Sequence, residues 1–498
     1  MHTTPEVVEF VLGLLVVVAV LVRIADRLRI SYPILLVLGG LTLSLVPNLP
    51  ELELAPDLVF LIFLPPLLMY AAYFTSIRDF RANLRPIGLL AVGLVLTTTV
   101  VVAVVAHTTI GLPWPVAFVL GAIVSPPDAV AATAIGRRLK LPRRIVTVME
   151  GESLVNDATA LVALRIARTA AVSGAALSLP EAVREFAVAS AGGVAIGLVL
   201  GWITVRLWRM VDDTSISVML SFLATYGAYL LAEDRFHVSG VLAVVALGLY
   251  MGRNGDSYAS ARTRLEGVAI WSMVVFVLNG LVFILIGLQL RGILHRMATA
   301  GHSIPSLLWY AAAISLTVIV VRIVWIYPAT YLPRWLSARL QARDPAPPWQ
   351  YPTVLSWTGM RGVVSLAAAL ALPVVTASGS PFPHRDLLIF LTFAVILATL
   401  VIQGLTLAPV VRALGVTADG GAQEEEAKAR LKASHAALVR LEQLAVEDWA
   451  PTEIVEHLRS HYAERMHDLT ADSDDEEHGN HALWAEASQR LQREVLDA

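Results

Sequence analysis

Among the ionisable residues inside long apolar stretches of the chain, four stand out: Asp128, Glu152, Asp157 and Arg361. Charged side chains within membrane-spanning segments are costly, and they usually mark an ion pathway or a proton relay. Asp157 and Asp128 are candidates for ion binding, and the alternative for either is a structural hydrogen bond within a helix bundle. Arg322 is a fifth charge in an apolar stretch, and the sequence assigns it no role.

Asp157 belongs to the run EGESLVNDAT, in which helical spacing sorts the polar groups. Residues four apart share one face of a helix, so Ser153 and Asp157 form one stripe and Glu152 and Asn156 form its neighbour. A desolvated carboxylate can hold a proton near neutral pH, whereas an alkali cation stabilises the ionised form. Hard cations prefer oxygen ligands. We therefore predict that a monovalent cation and a proton compete for Asp157, with Ser153 and Asp128 completing the oxygen shell.

Arg361 keeps its charge at physiological pH, so in an apolar stretch it needs a carboxylate partner. Glu152 is the candidate partner, although Asp128 would also serve. We predict a structural ion pair between Glu152 and Arg361 that ties two halves of the fold together.

The composition places these residues in a membrane protein. The 498 residues are 56% hydrophobic and only 15% charged, whereas a soluble domain carries roughly a quarter charged residues. The chain contains no cysteine, which excludes disulfides, thiolate metal sites and cysteine nucleophiles. The apolar stretch at residues 7–22 has no basic residues before it and no small-residue cleavage pattern. It is therefore predicted to be a transmembrane helix and not a signal peptide.

Apolar segments separated by charges, Pro or Gly predict an all-α polytopic membrane protein with about thirteen transmembrane helices. Arg and Lys concentrate in alternate loops, beginning with Arg23, Arg27 and Arg29 after the first segment, while the next loop has none. Because cytoplasmic loops are rich in these residues, the N-terminus is predicted outside and the C-terminus in the cytoplasm. The segments are residues 6–25, 30–46, 57–76, 86–110, 115–136, 143–171, 182–210, 214–232, 237–252, 264–290, 305–332, 350–373 and 385–413.

Thirteen helices are compatible with two inverted six-helix repeats, at about 6–171 and 214–413, and a linker helix at about 182–210. The fifth and twelfth segments then occupy equivalent positions. SPPD interrupts the fifth near its middle, and GMRG interrupts the twelfth. Paired broken helices at matching positions are the best indication in a sequence of an ion site near the membrane midplane.

The net charge of −3 is divided between a basic transmembrane domain, residues 1–416, and an acidic, mostly helical cytoplasmic tail, residues 417–498. A basic excess suits the anionic cytoplasmic leaflet of a lipid bilayer, and it gives no reason to propose a nucleic-acid partner.

The motifs around these residues resemble those of the sodium/proton exchanger branch of the monovalent cation:proton antiporters. The resemblance covers nearly all of residues 6–413 in consistent order. Its most specific motif is ESLVND at 152–157, and the others are SPPDAVA at 125–131, FLPP at 63–66, GMRG at 359–362 and QGLT at 403–406.

The resemblance implies ion binding at Asp157, assisted by Asp128 and Ser153, with Asn156 as a supporting polar residue. It also implies an ion pair between Glu152 and the GMRG arginine, a homodimer and an elevator-like movement of a core domain. The electrogenic branch has a second Asp where this chain has the Asn, which implies electroneutral one-for-one exchange.

Two positions depart from the family pattern. Many members have Thr where Pro127 stands, and many have an acidic residue where Tyr70 stands. Both departures affect the expected ligand shell and therefore the ion selectivity.

We expect a secondary active antiporter of the plasma membrane that exchanges Na⁺, or alternatively Li⁺ or K⁺, for H⁺ without a cofactor. A potassium/proton exchanger is the alternative within this class. A cation channel is the alternative from another class, but broken helices with competing carboxylates favour alternating access over an open pore. An intramembrane enzyme is disfavoured, because rhomboid-type serine and Gly-x-Gly-Asp patterns are absent and no His cluster has metal-ligand spacing.

Overall fold

The computed structural model describes residues 4–28, 30–46, 59–173, 179–211, 213–255, 261–299, 303–376, 379–417, 421–447 and 450–475. Within these ranges the chain forms helices and no strand, which confirms the all-α prediction. The chain divides into two compact units, Met1–Thr417 and Ala418–Ala498.

The first half of the larger unit leads from the N-terminus to the helix that carries Asp157. Its helices are α1 (Thr4–Leu28), α2 (Tyr32–Ser44), α3 (a π-helical turn, Val59–Phe63, continued by Leu64–Phe74), α4 (Ile77–Ala82), α5 (Leu84–Ile110), α6 (Trp114–Val124), α7 (Ala129–Arg138) and α8 (Arg143–Ser173).

The second half of this unit begins with a long helix that follows α8. Its helices are α9 (Leu179–Trp208), α10 (Thr214–Leu230, extended by a π-helical turn, Leu231–Arg235), α11 (Gly240–Asn254), α12 (Ala261–Leu288), α13 (Leu290–Thr299), α14 (Ile304–Leu336), α15 (Ala338–Arg343), α16 (Gln350–Trp357), α17 (Val363–Leu370) and α18 (Arg385–Ala413).

Two of the predicted segments are broken helices. The fifth consists of α6 and α7, and the twelfth consists of α16 and α17. The first break holds Pro126 and Pro127, which have no N–H to donate to a helical carbonyl. The second break holds Gly359 and Gly362, whose lack of a side chain permits unwound backbone and close approach.

By length and composition, six helices of the described part of the chain could cross a membrane: Leu84–Ile110, Pro180–Trp208, Thr214–Arg235, Arg262–Met297, Ile304–Leu336 and Arg385–Ala413. Shorter apolar helices are Tyr32–Ser44, Phe60–Phe74, Trp114–Val124 and Gly240–Asn254. The number of thirteen spans and the inverted repeats stay predictions.

Helices pack closely where glycine lies at the crossing. Gly40 of α2 abuts the carbonyl of Ile284 in α12, and a Cβ there would overlap that oxygen. Small residues at such crossings let helix backbones approach and gain van der Waals contact, which drives helix association in lipid. The largest apolar cluster surrounds α6, α18 and the α2–α12 pair, and it holds the broken helices in place.

The smaller unit contains two helices in its described part, α19 (Gly421–Leu444) and α20 (Thr452–Asp475), which pack against each other. About a third of the residues of each helix are charged, and i,i+4 and i,i+3 ion pairs such as Glu426–Arg430 and Glu456–Arg459 lie on their surfaces. The predicted tail is helical where the structure describes it.

Candidate functional site

A cavity of about 280 Å³ lies beside the breaks in the two helices. Asp128, Ser153 and Asp157 all line it, so the structure brings together three of the four predicted ion-binding residues. Asp157 is buried, with 7% of its surface exposed. The oxygen atoms that the cavity collects are of the kind that bind hard cations.

Asn156, the fourth predicted residue, does not line this cavity. It is fully buried, and its Nδ2 donates to the carbonyl of Pro127 at 2.7 Å. That carbonyl belongs to the unwound segment between α6 and α7, where helical partners are missing. Asn156 therefore fixes the first broken helix against α8.

Asp128 joins the two breaks. Its backbone N–H donates to Met360 O at 2.7 Å, and its Oδ1 accepts from the N–H of Val130 at 2.8 Å. Its Oδ2 packs against Gly362, where any Cβ would overlap it. Gly362 precedes the first residue of α17, so the carboxylate lies at the N-termini of α7 and α17, where the helix dipoles favour negative charge.

Arg361 provides the opposite charge at the same crossing. Its Nε donates to Val124 O at 3.1 Å, its Nη2 donates to Ser125 O at 3.4 Å, and its Nη1 donates to Gly359 O. These carbonyls lie at the C-termini of α6 and α16, where helices lack internal donors and dipoles favour a cation. One guanidinium therefore binds free carbonyls at the C-terminal ends of α6 and α16, the first halves of the two broken helices.

The predicted ion pair between Glu152 and Arg361 is wrong, because Glu152 binds Arg322. Arg322 Nη1 lies 2.5 Å from Oε1 of Glu152, and Nη2 lies 2.9 Å from Oε2. Both side chains are at most 2% exposed. Arg322 also donates to Leu355 O from Nε and Nη2, at 3.2 and 3.1 Å. This bidentate pair links α8 and α14 to the end of α16.

Arg361 needs no carboxylate contact because backbone carbonyls occupy its donors. A buried guanidinium is costly unless its charge and N–H groups find partners. Composition and spacing point to a carboxylate as the partner of a buried arginine, because the carbonyls that unwinding exposes become acceptors only in the folded chain. Arg322, a second arginine within an apolar segment, is the feature of the sequence that points to the other partner for Glu152.

Several further polar residues line the cavity and were missed: Tyr32, Thr133, Glu150, Asn279 and Ser365. Ser365 has the clearest signal in the sequence, since it lies one helical turn after the GMRG motif. Both departures from the family pattern, Pro127 and Tyr70, also line the cavity. Their positions support the expectation that they affect the ligand shell.

A second cavity, of about 470 Å³, lies further along the same helices. On α8 the first cavity reaches from Glu150 to Asp157, and the second begins at Leu161 and continues to Arg168. On α17 the first reaches Ser365, and the second begins at Ala368. The two cavities are therefore arranged in series, with about one helical turn of packed residues between them.

An ion pair spans the second cavity. Arg165 of α8 donates to Glu233 Oε1 at 2.6 Å and to His237 O at 3.0 Å. Glu233 Oε2 in turn accepts from the N–H of Gly240, the first residue of α11, at 3.1 Å. These bonds tie the C-terminal half of α8 to the turn between α10 and α11.

Comparison with known proteins places the chain among cation exchangers. The family model for the transmembrane region of the sodium/hydrogen exchangers matches residues 13–413. An uncharacterised Na⁺/H⁺ exchanger of Mycobacterium tuberculosis is 36% identical over 471 residues, 93% of this chain and 86% of that protein. A sodium, potassium, lithium and rubidium/H⁺ antiporter of Bacillus pumilus is 35% identical over 388 residues, 76% of this chain and 57% of that protein.

A solved structure shares the fold. The sodium proton antiporter MjNhaP1 from Methanocaldococcus jannaschii superposes with a TM-score of 0.63 at 18% identity, over 82% of this chain and 98% of that one. The family match extends over most of the chain and includes both broken helices and the site between them. The chain therefore belongs to the sodium/hydrogen exchanger family, and it is a multi-pass membrane transporter, a monovalent cation:proton antiporter and not an enzyme.

Proposed function

We propose that the protein exchanges Na⁺ for H⁺ across the plasma membrane by competition of the two ions for Asp157. The observation that carries the proposal is the meeting of Asp157, Asp128 and Ser153 in one cavity at the crossing of two broken helices. A carboxylate in such a place can hold a proton or a dehydrated cation, but not both. Exchange then needs no cofactor, since the protein moves the two ions alternately.

Some residues of the site are placed to bind the ion, and others hold the backbone around it. Asp157 and Ser153 lie on one stripe of α8, and Asp128 approaches from the break between α6 and α7. Asn156 and Arg361 hold that break in shape through backbone carbonyls. We assign ion binding to Asp157, Asp128 and Ser153, and we assign Asn156 a positioning role.

Alternating access is supported by the two cavities in series along α8 and α17. In the orientation predicted from the loop charges, the Glu150 end of α8 faces the cytoplasm, because Arg143 and Arg144 lie just before it. The cavity that holds Asp157 then opens inward, and the second cavity is an outer vestibule separated from it. We propose that an elevator-like movement of the broken helices and α8 transfers the site between the two.

The membrane arrangement proposed here has thirteen spans, with α9 as the linker between two inverted repeats. The N-terminus lies outside and the tail lies in the cytoplasm. Support comes from the helices at each predicted segment and from the breaks at matching positions in the two halves. The functional unit is proposed to be a homodimer, as the family resemblance implies.

The exchange is proposed to be electroneutral, because α8 presents a neutral Asn156 beside Asp157. The cation is proposed to be Na⁺, with Li⁺ and K⁺ as alternatives. Potassium exchange has specific support, since a relative 35% identical to this chain carries a name that includes sodium, potassium, lithium and rubidium.

The test is cation-triggered proton movement in everted membrane vesicles that contain the wild-type protein or Asp157→Asn. We expect Na⁺, Li⁺ or K⁺ to collapse an imposed proton gradient with wild type and to have no effect with the variant. Full activity of a well-expressed Asp157→Asn protein would overturn the role of Asp157. If wild type showed no proton movement with any of these cations at several pH values on both sides of neutrality, monovalent cation exchange would be overturned.

The kinetics distinguish competition from other pH effects. Because proton and cation compete for one carboxylate, lowering the pH by one unit is expected to raise the apparent KM for Na⁺ by up to about tenfold, by mass action. The maximal rate is expected to stay the same. A falling maximal rate at constant KM would instead place the pH effect outside the ion site.

A further inference from the structure

Ser365 of α17 is a buried hydroxyl without a hydrogen-bond partner. The residue is 2% exposed, and its Oγ makes no hydrogen bond. Other buried hydroxyls of the same broken helix donate to a carbonyl of the preceding turn: Ser356 bonds Thr353 O at 2.8 Å, and Thr358 bonds Leu355 O at 2.9 Å. Leaving a buried hydroxyl unpaired is unfavourable. The position of Ser365 therefore calls for a partner that the protein itself does not supply.

The partner has a defined place. Ser365 lines the cavity that also holds Asp128, Asp157 and Ser153. It lies one helical turn after Gly362, which packs directly against the Asp128 carboxylate. Residues three apart lie on the same face of a helix, so the Ser365 hydroxyl is on the carboxylate-facing side of α17.

Two other polar residues near the cavity lack either an unpaired oxygen or a place in the cavity lining. Asn156 Oδ1 is also buried and unpaired, but Asn156 does not line the cavity. Thr133 lines the cavity, but its hydroxyl donates to Val130 O at 3.3 Å. Of these three, Ser365 is the one that combines an unpaired oxygen with a place in the lining of the cavity.

We infer, on the basis of the antiport proposed above, that Ser365 Oγ is a ligand of the transported monovalent cation. The carboxylates reach the ion from α8 and from the first broken helix, and Ser365 adds an oxygen from the second. A hydroxyl oxygen is neutral, so it binds the cation through its lone pairs and carries no exchangeable proton at the working pH. It raises the affinity for the cation without changing the number of protons exchanged.

The experiment compares Ser365→Ala with wild type in proteoliposomes with an acidic interior, by measuring proton efflux against Na⁺, Li⁺ and K⁺ concentration. We expect the KM for the preferred cation to rise by about threefold to tenfold, as for the loss of one hydrogen-bond-strength contact. The maximal rate is expected to change by less than twofold (about 0.4 kcal/mol). The order of preference among the three cations is expected to change, because they differ in size.

Ser356→Ala is the matched control, since Ser356 is equally buried on the same broken helix but does not line the cavity. Its KM values are expected to equal those of wild type. Thermal unfolding of the purified proteins adds a second readout. Removing an unpaired hydroxyl is expected to leave the Ser365→Ala midpoint equal to or above that of wild type, so a raised KM cannot be attributed to loss of structure.

Each outcome decides the matter. Unchanged KM and unchanged cation preference in Ser365→Ala would overturn the inference while wild-type exchange upholds the antiport. Absence of wild-type exchange would overturn the antiport itself.

If Ser365→Ala is not recovered as folded protein, Ser365→Thr and Ser365→Cys answer the same question. Thr keeps the hydroxyl and is expected to keep the wild-type KM, whereas Cys keeps the size and is expected to raise it, and equal KM values for the two would overturn the inference.

Discussion

Glu152 and Arg322 form a bidentate ion pair in the interior, with both side chains at most 2% exposed. The pair joins α8, which carries the candidate ion-binding residues Ser153 and Asp157, to α14. Because Arg322 also donates to Leu355 O, it fixes the end of α16 just before the second break. The glutamate is therefore part of the support that holds α8 and the second broken helix together.

Removing either partner is expected to destabilise the protein by about 3–5 kcal/mol, because it leaves a buried charge unpaired. The double variant Glu152→Met with Arg322→Met is expected to recover much of that loss, since two apolar side chains replace the pair. Thermal unfolding of the purified single and double variants measures the coupling. A second double-mutant cycle, with Glu152→Met and Arg361→Met, is the control. A larger coupling free energy for Glu152 with Arg361 than for Glu152 with Arg322 would contradict the pairing found in the structure.

Gly362 is expected to be essential because its Cα packs against the Asp128 carboxylate. Gly362→Ala places a Cβ on Oδ2 of Asp128 and pushes the two broken helices apart. Overpacking of this kind costs about 1–3 kcal/mol or more, and we expect loss of cation-dependent proton transport in vesicles. Gly227→Ala in α10 is the matched control, since no atom lies within 4 Å of a Cβ there. Wild-type transport by Gly362→Ala would show that the close contact has no functional role.

The ion pair between Arg165 and Glu233 is expected to open during transport, because it ties α8 to the turn between α10 and α11 across the second cavity. Glu233 is one-third exposed, so the pair adds little stability, about 0–1 kcal/mol. Arg165→Cys with Glu233→Cys tests the movement. A bifunctional thiol reagent is expected to abolish transport in this double variant.

The natural chain contains no cysteine, so wild type is an unreactive background for this cross-link. Each single-cysteine variant can be modified by the reagent but cannot be cross-linked within one chain, so it controls for modification alone. A reducible reagent is expected to restore transport after reduction. Full transport by protein that is cross-linked within one chain would show that α8 and the α10–α11 turn move together.

Asp344, which follows α15, binds three arginines: Arg144 at 2.7 Å, Arg334 at 2.8 Å and Arg85 at 3.0 Å. Burial alone would raise the pKa of Asp344. The hydrogen bond and charge of Arg144 and the charges of Arg334 and Arg85 outweigh it and hold the pKa below its usual range. The ionised carboxylate therefore stabilises the fold at neutral pH by keeping three cations together.

Asp344→Asn is expected to lower the unfolding midpoint at pH 7, by the equivalent of about 1–3 kcal/mol. A depressed carboxyl pKa contributes stability above the unfolded value of about 3.9 and loses it as the pH falls through the folded value. The midpoints of wild type and variant are therefore expected to converge below about pH 4. If the difference between the two unfolding midpoints stayed constant from pH 7 to below about pH 4, the charge of Asp344 would not be the source of that difference.

The sequence by itself determined the class of the protein and located the candidate ion-binding residues. Hydropathy and the scarcity of charge indicated an all-helical membrane protein, and the charges that remained in apolar segments identified Asp128 and Asp157. Proline and glycine beside a charge located both breaks, because missing N–H groups and absent side chains act locally on the backbone. Helical periodicity also placed Ser153 on the stripe of Asp157.

The tertiary structure alone decided which partners these groups meet. The sequence offers two arginines in apolar segments as partners for Glu152, and the packing of the helices brings Arg322 of α14 to it, a relationship that separation along the chain does not encode. Arg361 binds carbonyls that exist as free acceptors only because α6 and α16 end beside it. Periodicity assigns a side chain to a face of its helix, but the packing of neighbouring helices determines whether that face meets a cavity. This is why Asn156 holds a backbone segment while Ser365 lines the cavity beside Asp128 and Asp157.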